Sequence, residues 1–146
     1  MFPDHNLSEK GLLIITGSSP RAEQVDRPLA YRLRDCIEKK LSEQDNDYKV
    51  VVLGDLWYLN CESLQRLPMI SLGGPGVNAV AAHLYKRLAN ALVVDNTLLI
   101  QMDPHYQDLR VSIWGMDHQT TVEALELFVQ NGYLERFLGA VTARLA

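Results

Sequence analysis

Four glycines follow short apolar runs in this sequence, and they mark the places best suited to holding a ligand. They are Gly17, Gly54, Gly73 and Gly115. Glycine permits positive φ angles and a close backbone approach, and amides at the start of a helix carry partial positive charge that favours anions. These turns therefore predict a site for a small anionic ligand, with a protein partner as the alternative.

The segment at residues 73–78, GGPGVN, is the most distinctive of these turns. Gly73, Gly74 and Gly76 surround a proline, and Asn78 stands where a capped helix is expected to begin. Such glycines would let a phosphate or a docking surface come close to the backbone. They would equally suit a tight strand-to-helix connection without a ligand, so both interpretations stay open.

The segment at residues 17–21 offers two hydroxyls and a guanidinium, the groups that commonly hold phosphate. Its candidate ligand-binding residues are Gly17, Ser18, Ser19 and Arg21. Over roughly a dozen residues it resembles the first phosphate loop of flavodoxin-like flavin reductases, which implies a flavin or nucleotide as the cofactor. The chain has no GxxxxGK[ST], and no GxGxxG follows a strand. An ordinary serine-rich turn is the simpler interpretation.

Polar residues follow two further apolar runs. Asp55 stands where α/β enzymes often keep a functional carboxylate, although it could equally cap a turn. Asp117 is expected to cap the next helix, and His118 beside it could titrate near neutral pH. We include these three residues, with Gly115, in the candidate ligand site.

Metal and nucleophilic chemistry have no motif in this chain. HExxH and HxH spacings are absent from the scattered histidines His5, His83, His105 and His118. This pattern predicts no metal site. No GxSxG is present, and no serine or cysteine stands next to a recognisable base, so the sequence assigns no catalytic residue.

A longer pattern covers about residues 70–125. The GGPxxN turn precedes a helix, and a later strand ends at Gly115, followed by Asp117, Thr121 and Ala124. This order is similar to the C-terminal module of archaeal surface-layer proteins, with its G-x-D-x-x-x-T-x-x-A helix start. The resemblance implies a Rossmann-like domain used for assembly or recognition, with no established catalysis.

Apolar patterning predicts the elements that position these residues. Strands are predicted at residues 11–17, 48–53 and 69–72, at 92–95 and 97–102 as a hairpin or one bent strand, and at 109–114 near the sheet edge. Helices are predicted from an Asp26 cap to about Leu41, from Asn78 to Leu88, and over residues 120–131 and 133–145, whereas residues 57–67 are ambiguous. Strand–helix–strand order predicts parallel pairing. The fold class is therefore α/β, a three-layer Rossmann-like or flavodoxin-like fold with a mainly parallel sheet and helices on both faces.

Length and composition narrow the class of protein. The 146 residues suit a single domain, 1–146, in which residues 1–10 form a loosely held lead-in. The net charge of −4 and dispersed basic residues argue against nucleic acid, and no apolar run reaches the length that crosses a membrane. Without a signal-like start, and with Cys36 and Cys61 expected to be reduced core thiols, the chain is predicted to be cytoplasmic.

Two hypotheses of function follow, with an assembly hypothesis beside them. The first is a non-catalytic Rossmann-like module that binds a ligand or partner through glycine-rich loops at the carboxyl edge of the sheet. The alternative is a small flavin- or nucleotide-dependent enzyme holding phosphate at residues 17–21. A homo-oligomer through the apolar C-terminal helices is also considered, although ordinary core packing would account for the same residues. They are Leu127, Phe128, Leu134, Phe137, Leu138 and Val141.

Overall fold

The computed structural model describes residues 8–145, so most of the predicted lead-in, residues 1–7, lies outside the described residues. Six strands are present in this range: β1 (Gly11–Thr16), β2 (Lys49–Gly54), β3 (Met69–Leu72), β4 (Asn90–Val94), β5 (Leu98–Met102) and β6 (Arg110–Gly115). The helices are α1 (Pro20–Glu43), α2 (Asp55–Leu59), α3 (Ala79–Leu84), α4 (His118–Gln130) and α5 (Tyr133–Ala143), with a short 3₁₀ turn at Leu64–Arg66. The ambiguous stretch, residues 57–67, thus contains the end of α2 and the 3₁₀ turn.

The strands form one sheet in the order β2-β1-β3-β6-β5-β4. β1 pairs in parallel with β2 and β3, and β3 pairs in parallel with β6. β5 runs antiparallel to both of its neighbours, β6 and β4. The chain is therefore an α/β protein whose sheet is mostly parallel and partly antiparallel.

The position predicted for β6 near the sheet edge is wrong. Alternation of apolar and polar residues suggested a strand with one face in water, yet β6 lies between β3 and β5. Ser112, on the polar side of that alternation, is fully buried and pairs in register with Ser71 of β3. A side chain as small as serine fits in the interior of the sheet. The alternation of apolar and polar residues in β6 therefore does not indicate a strand with one face in water.

The two apolar stretches around Asn96 form a hairpin rather than one bent strand. Asp95 and Asn96 both have positive φ angles, 48° and 56°, a conformation that aspartate and asparagine adopt more readily than most residues. The Thr97 amide donates to the Val94 carbonyl at 2.8 Å and closes the turn. β4 and β5 therefore add an antiparallel extension to the parallel part of the sheet.

Apolar residues pack on both faces of the sheet, because neighbouring residues of a buried strand point in opposite directions. Leu12 and Ile14 of β1 belong to the larger cluster, which includes residues of α1, α4 and α5. Leu13 and Ile15 belong to a smaller cluster with residues of α2 and α3. Cys36 and Cys61 are half-buried and pack against these clusters, one on each.

The first helix begins earlier than predicted, and the proposed cap at Asp26 is wrong. α1 starts at Pro20, with Ser19 as the N-cap accepting a hydrogen bond from the Ala22 amide at 3.2 Å. Pro28 lies inside the helix on its exposed side. Proline has no amide hydrogen, so one carbonyl in the preceding turn lacks its helix donor, and on the exposed side water can satisfy it. Packing of the buried face then keeps α1 continuous through Pro28. Asp26 consequently lies within the helix and faces the interior.

The apolar residues of the last two helices are used in packing. The buried members are Phe128, Leu134, Phe137, Leu138 and Val141, and Leu127 is half-buried against the same cluster. Ordinary core packing thus accounts for the residues from which an oligomer interface was considered. Among residues 8–145, every helix is too short or too polar to cross a lipid bilayer.

Candidate functional site

A cleft of about 380 Å³ opens beyond the carboxyl ends of β3 and β6. Its walls are the first turns of α1, the β3–α3 loop and the β6–α4 loop. Carboxyl ends of parallel strands are where open α/β sheets usually bind ligands. The lining residues are Arg21, Ala22, Val25, Asp26, Gly73, Gly74, Pro75, Gly76, Val77, Trp114, Gly115, Met116, Asp117, His118 and Thr121.

Two glycines of the β3–α3 loop are closely packed. Gly73 has a φ of +105°, and a Cβ there would lie 3.1 Å from Oδ2 of Asp26. A Cβ on Gly74 would lie 3.1 Å from the ring of Trp114. Gly76 differs, because it is exposed and a Cβ would meet nothing within 4 Å. The loop is therefore built around Asp26 and Trp114, with Gly76 free to vary.

Asp26 and His118 form a polar pair in this cleft. The Asp26 side chain is 7% exposed and the His118 side chain 34% exposed. Oδ1 of Asp26 lies 3.1 Å from Nδ1 of His118. A carboxylate in this position orients the imidazole and favours the tautomer protonated at Nδ1. Among residues 8–145, the hydrogen bond and ion pair of His118 involve Nδ1 and leave Nε2 without a polar partner.

Asp26 is the site residue that the sequence analysis did not find. Its only distinguishing signal lies in the helical spacing of the residues around it. Once α1 is started at the Ser19 cap, Asp26 falls on the same face as the buried residues Ala22, Leu29 and Ala30. An acidic residue on an apolar helix face is unusual and indicates a specific partner. Placing the cap at Asp26 concealed that signal.

The turn at residues 17–21 is closely packed, which favours the simpler interpretation of an ordinary serine-rich turn over a phosphate loop. A Cβ on Gly17 would lie 1.8 Å from the Val77 carbonyl oxygen, so the two turns are packed directly against each other. The Ser18 hydroxyl donates to Oδ1 of Asp55 at 2.5 Å. The Ser19 hydroxyl is occupied in capping α1. Only Arg21 of the four predicted residues lines the cleft.

Asp55 connects three segments of the chain and lies outside the cleft. Its carboxylate is nearly fully buried. Oδ1 accepts the Ser18 hydroxyl and the Leu56 amide at 2.5 and 2.8 Å, and Oδ2 accepts the Ala79 amide at 2.7 Å. Both oxygens are thus satisfied by the protein. This geometry supports the turn-capping interpretation of Asp55.

Asn78 is likewise used by the fold. Its side-chain oxygen caps α3 by accepting amides at 2.9 and 3.3 Å from Val80 and Ala81. Its amide nitrogen donates to the Ser71 hydroxyl and the Leu72 carbonyl at 2.9 and 2.8 Å. The residue is 1% exposed. Its helix-capping role is confirmed, and its polar atoms do not line the cleft.

Asp117 caps α4, as expected, in a reciprocal arrangement with Thr120. Oδ1 accepts the Thr120 amide at 2.8 Å, while the Asp117 amide donates to the Thr120 hydroxyl at 3.0 Å. The Thr120 amide and hydroxyl lower the pKa of Asp117, because both donate to the charged carboxylate. Gly115 is needed here, since a Cβ would lie 2.1 Å from Oγ1 of Thr120.

The residues that carry the surface-layer resemblance have local structural roles. The Gly115 amide donates to the Thr121 hydroxyl at 2.9 Å, and that hydroxyl donates to the Asp117 carbonyl at 2.9 Å. Ala124 is fully buried. The spacing G-x-D-x-x-x-T-x-x-A is therefore the pattern of a tight strand-to-helix turn packed against the sheet.

The cleft thus brings together part of the predicted site. The residues that line it are Arg21, Gly73, Gly74, Gly76, Gly115, Asp117 and His118, whereas Gly17, Ser18, Ser19, Asp55 and Asn78 lie outside it. We found no known family, curated protein or solved structure that matches the chain. Within residues 8–145 no group of three or more histidine, cysteine, aspartate or glutamate side chains could hold a metal ion. The geometry of the cleft must therefore carry any functional argument.

Proposed function

We propose that this protein is a non-catalytic small-molecule-binding module that holds its ligand in the cleft between α1, the β3–α3 loop and the β6–α4 loop. The observation that carries the proposal is the buried Asp26 carboxylate paired with His118 in that cleft. A buried carboxylate is costly to desolvate, and a protein keeps one where its charge or its hydrogen bonds are used.

The size and lining of the cleft support a ligand of modest size. Its volume of about 380 Å³ falls at the small end of the range for small-molecule sites. Trp114, Val77 and Met116 provide apolar surface, and the Val77 and Met116 side chains are exposed. A few polar groups beside an apolar wall fix the orientation of a ligand, which is the usual design of such a site.

For the fold, we propose a Rossmann-like or flavodoxin-like arrangement with helices in layers on both faces. Supporting this, β1 lies between β2 and β3, so the direction of strand addition reverses at β1 as it does in doubly wound sheets. The antiparallel β5 and β4 are an addition to that pattern. The resemblance to the surface-layer module agrees with a role in recognition, but the proposal does not depend on it.

The alternative, a flavin- or nucleotide-dependent enzyme with its phosphate at residues 17–21, has less support. The Ser18 and Ser19 hydroxyls are engaged within the protein, and Gly17 is packed against Val77. Thermal unfolding with flavin mononucleotide or adenine nucleotides tests this alternative directly. Saturable stabilisation that is lost on Ser18→Ala would favour it over the cleft.

The proposed function is tested by screening small aromatic amines, acids and alcohols with ¹⁵N NMR of the protein. We expect saturable shifts of the amides of Gly73, Gly74 and Gly115. The variant Gly76→Phe should abolish them, because Gly76 lines the cleft and nothing lies within 4 Å of an added Cβ, so a ring fits there and competes with the ligand for space. Gly139→Phe is the matched control, since that glycine is also exposed with nothing within 4 Å of its Cβ. Shifts that persist in Gly76→Phe would refute the proposal.

A further inference from the structure

We infer that the ligand of this cleft carries a hydrogen-bond-donating cation, such as a primary ammonium group, which binds to Asp26 and His118. The inference rests on the proposed function and names the chemical class of the ligand. It replaces the anionic ligand that the glycine turns alone predict. Three observations support it: an oxygen without a donor, an imidazole with a defined orientation, and the balance of charge in the cleft.

The first observation concerns Oδ2 of Asp26. Oδ1 contacts His118, whereas Oδ2 has no hydrogen-bond partner among residues 8–145. Asp26 is 5% exposed, and it lines the cleft. An ionised carboxylate oxygen only accepts hydrogen bonds, so a donor on a bound ligand would satisfy Oδ2.

The second observation concerns the orientation of His118. With Nδ1 directed at the Asp26 carboxylate, the neutral imidazole presents Nε2 as an acceptor. Oδ2 of Asp26 and Nε2 of His118 are therefore two acceptors on residues that share one cleft. An ammonium group has three donors and no acceptor, which matches such a pair of acceptors.

The third observation concerns charge. Asp26 and Asp117 are the acidic residues that line the cleft, and Arg21 is the only lysine or arginine among them. Arg21 and Asp117 are exposed at the rim, whereas Asp26 is buried. The charge nearest the interior is thus negative, so an anion would have to approach a carboxylate, whereas a cation would be attracted to it. Trp114 adds an aromatic ring to the wall of the cleft.

Three probes with one shared frame test the inference: phenethylamine, hydrocinnamate and phenethyl alcohol. They carry the same phenylethyl group and end in a cation, an anion and a neutral hydroxyl. Binding is followed by the ¹⁵N shifts of the Gly73 and Gly74 amides and by the imidazole signals of His118. We expect phenethylamine to bind at least about tenfold more tightly than hydrocinnamate, which corresponds to about 1.4 kcal/mol.

Two variants of nearly unchanged shape identify the source of that preference. Asp26→Asn keeps an oxygen for His118 and removes the charge, so the amine should lose its advantage over the acid and the alcohol. Asp35→Asn removes the same charge from an exposed position on α1 and should leave the preference unchanged. His118→Ala should weaken amine binding without weakening hydrocinnamate binding, and it covers the case in which Asp26→Asn does not fold.

The outcomes separate this inference from the proposed function. Hydrocinnamate or the alcohol binding as tightly as the amine, at a site blocked by Gly76→Phe, would overturn the inference and leave the proposed function standing. An amine preference that survives Asp26→Asn would overturn it as well, because the net charge of the protein would then explain it. If no probe binds in the cleft at millimolar concentration, both the proposed function and the inference fail.

Discussion

Replacing Asn78 provides the sharpest test of how this fold uses its polar residues. Asn78→Ala removes the cap of α3, which typically costs about 1 kcal/mol. It also leaves the Ser71 hydroxyl and the Leu72 carbonyl without the amide that donates to them. Each buried polar group left without its partner costs about 1 to 3 kcal/mol. Adding the smaller figures gives a loss of about 3 kcal/mol in the free energy of unfolding.

Urea denaturation of the wild type and three variants measures this loss. Asn78→Ser keeps a capping oxygen but not the amide donors, so it should recover only the cap and lose about 2 kcal/mol. Asn60→Ala removes an exposed asparagine that bonds to the Leu56 carbonyl, and it should change stability by less than about 0.5 kcal/mol. The m-values should be equal if all the proteins unfold in one step.

The reasoning would be refuted if Asn78→Ala stayed within about 0.5 kcal/mol of the wild type. The amide group would then be free for another purpose, such as the ligand contact predicted from the sequence alone. Wild-type stability in Asn78→Ser would refute the part of the argument that concerns the amide donors. A loss of stability without any change in the affinity of a cleft ligand would support the structural role.

Three further predictions concern the backbone and pH. Pro28→Ala should raise the free energy of unfolding, measured by urea denaturation, by about 2 kcal/mol. Proline inside a helix costs about 3 kcal/mol relative to alanine, and part of this cost is offset because proline restricts the unfolded chain. An unchanged or lower urea midpoint would contradict this prediction. Gly17→Ala should destabilise by more than about 2 kcal/mol, since its Cβ would meet the Val77 carbonyl oxygen, whereas Gly76→Ala should stay within about 0.5 kcal/mol. The pKa of Asp117 is lowered from its ordinary value of 3.8. The ionised carboxylate therefore contributes fully to stability above pH 3.8, and this contribution is lost as the pH falls through the lowered pKa. Asp117→Ser, with a neutral cap, should therefore lose less stability than the wild type between pH 7 and pH 3, and equal losses on acidification would count against this account.

The candidate site was only partly predictable from the sequence. Some of its residues depend on contacts between neighbours in the chain, and others depend on contacts between distant segments. The glycines of the β3–α3 and β6–α4 loops could be found, since strand ends and helix caps are written in neighbouring residues. Arg21 and His118 were found for the same reason. Asp26 could not be found in that way, because its partner His118 is 92 residues away in the chain. The helical spacing marks Asp26 as an acidic residue on a buried face once α1 begins after Ser19, but it does not identify His118 as the partner.

The use of the hydroxyls in the first turn could not be read from the sequence for a related reason. Its hydroxyls and glycine have the composition of a phosphate loop, and composition alone cannot tell a free hydroxyl from an engaged one. Ser18 is engaged by Asp55, and Gly17 is pressed against Val77, each from a distant part of the chain. The free donors and acceptors of a loop are therefore known only after its tertiary neighbours are placed.

The amino-acid sequence by itself determined the alternation of strands and helices, the parallel pairing of the first strands and the caps at Asn78 and Asp117. These features depend on periodicity and on hydrogen bonds that span only a few residues. Tertiary structure alone decided that α1 continues through Pro28, that β6 lies inside the sheet, and that Asp26 meets His118. In each of these cases, packing between segments far apart in the chain outweighed the local preference.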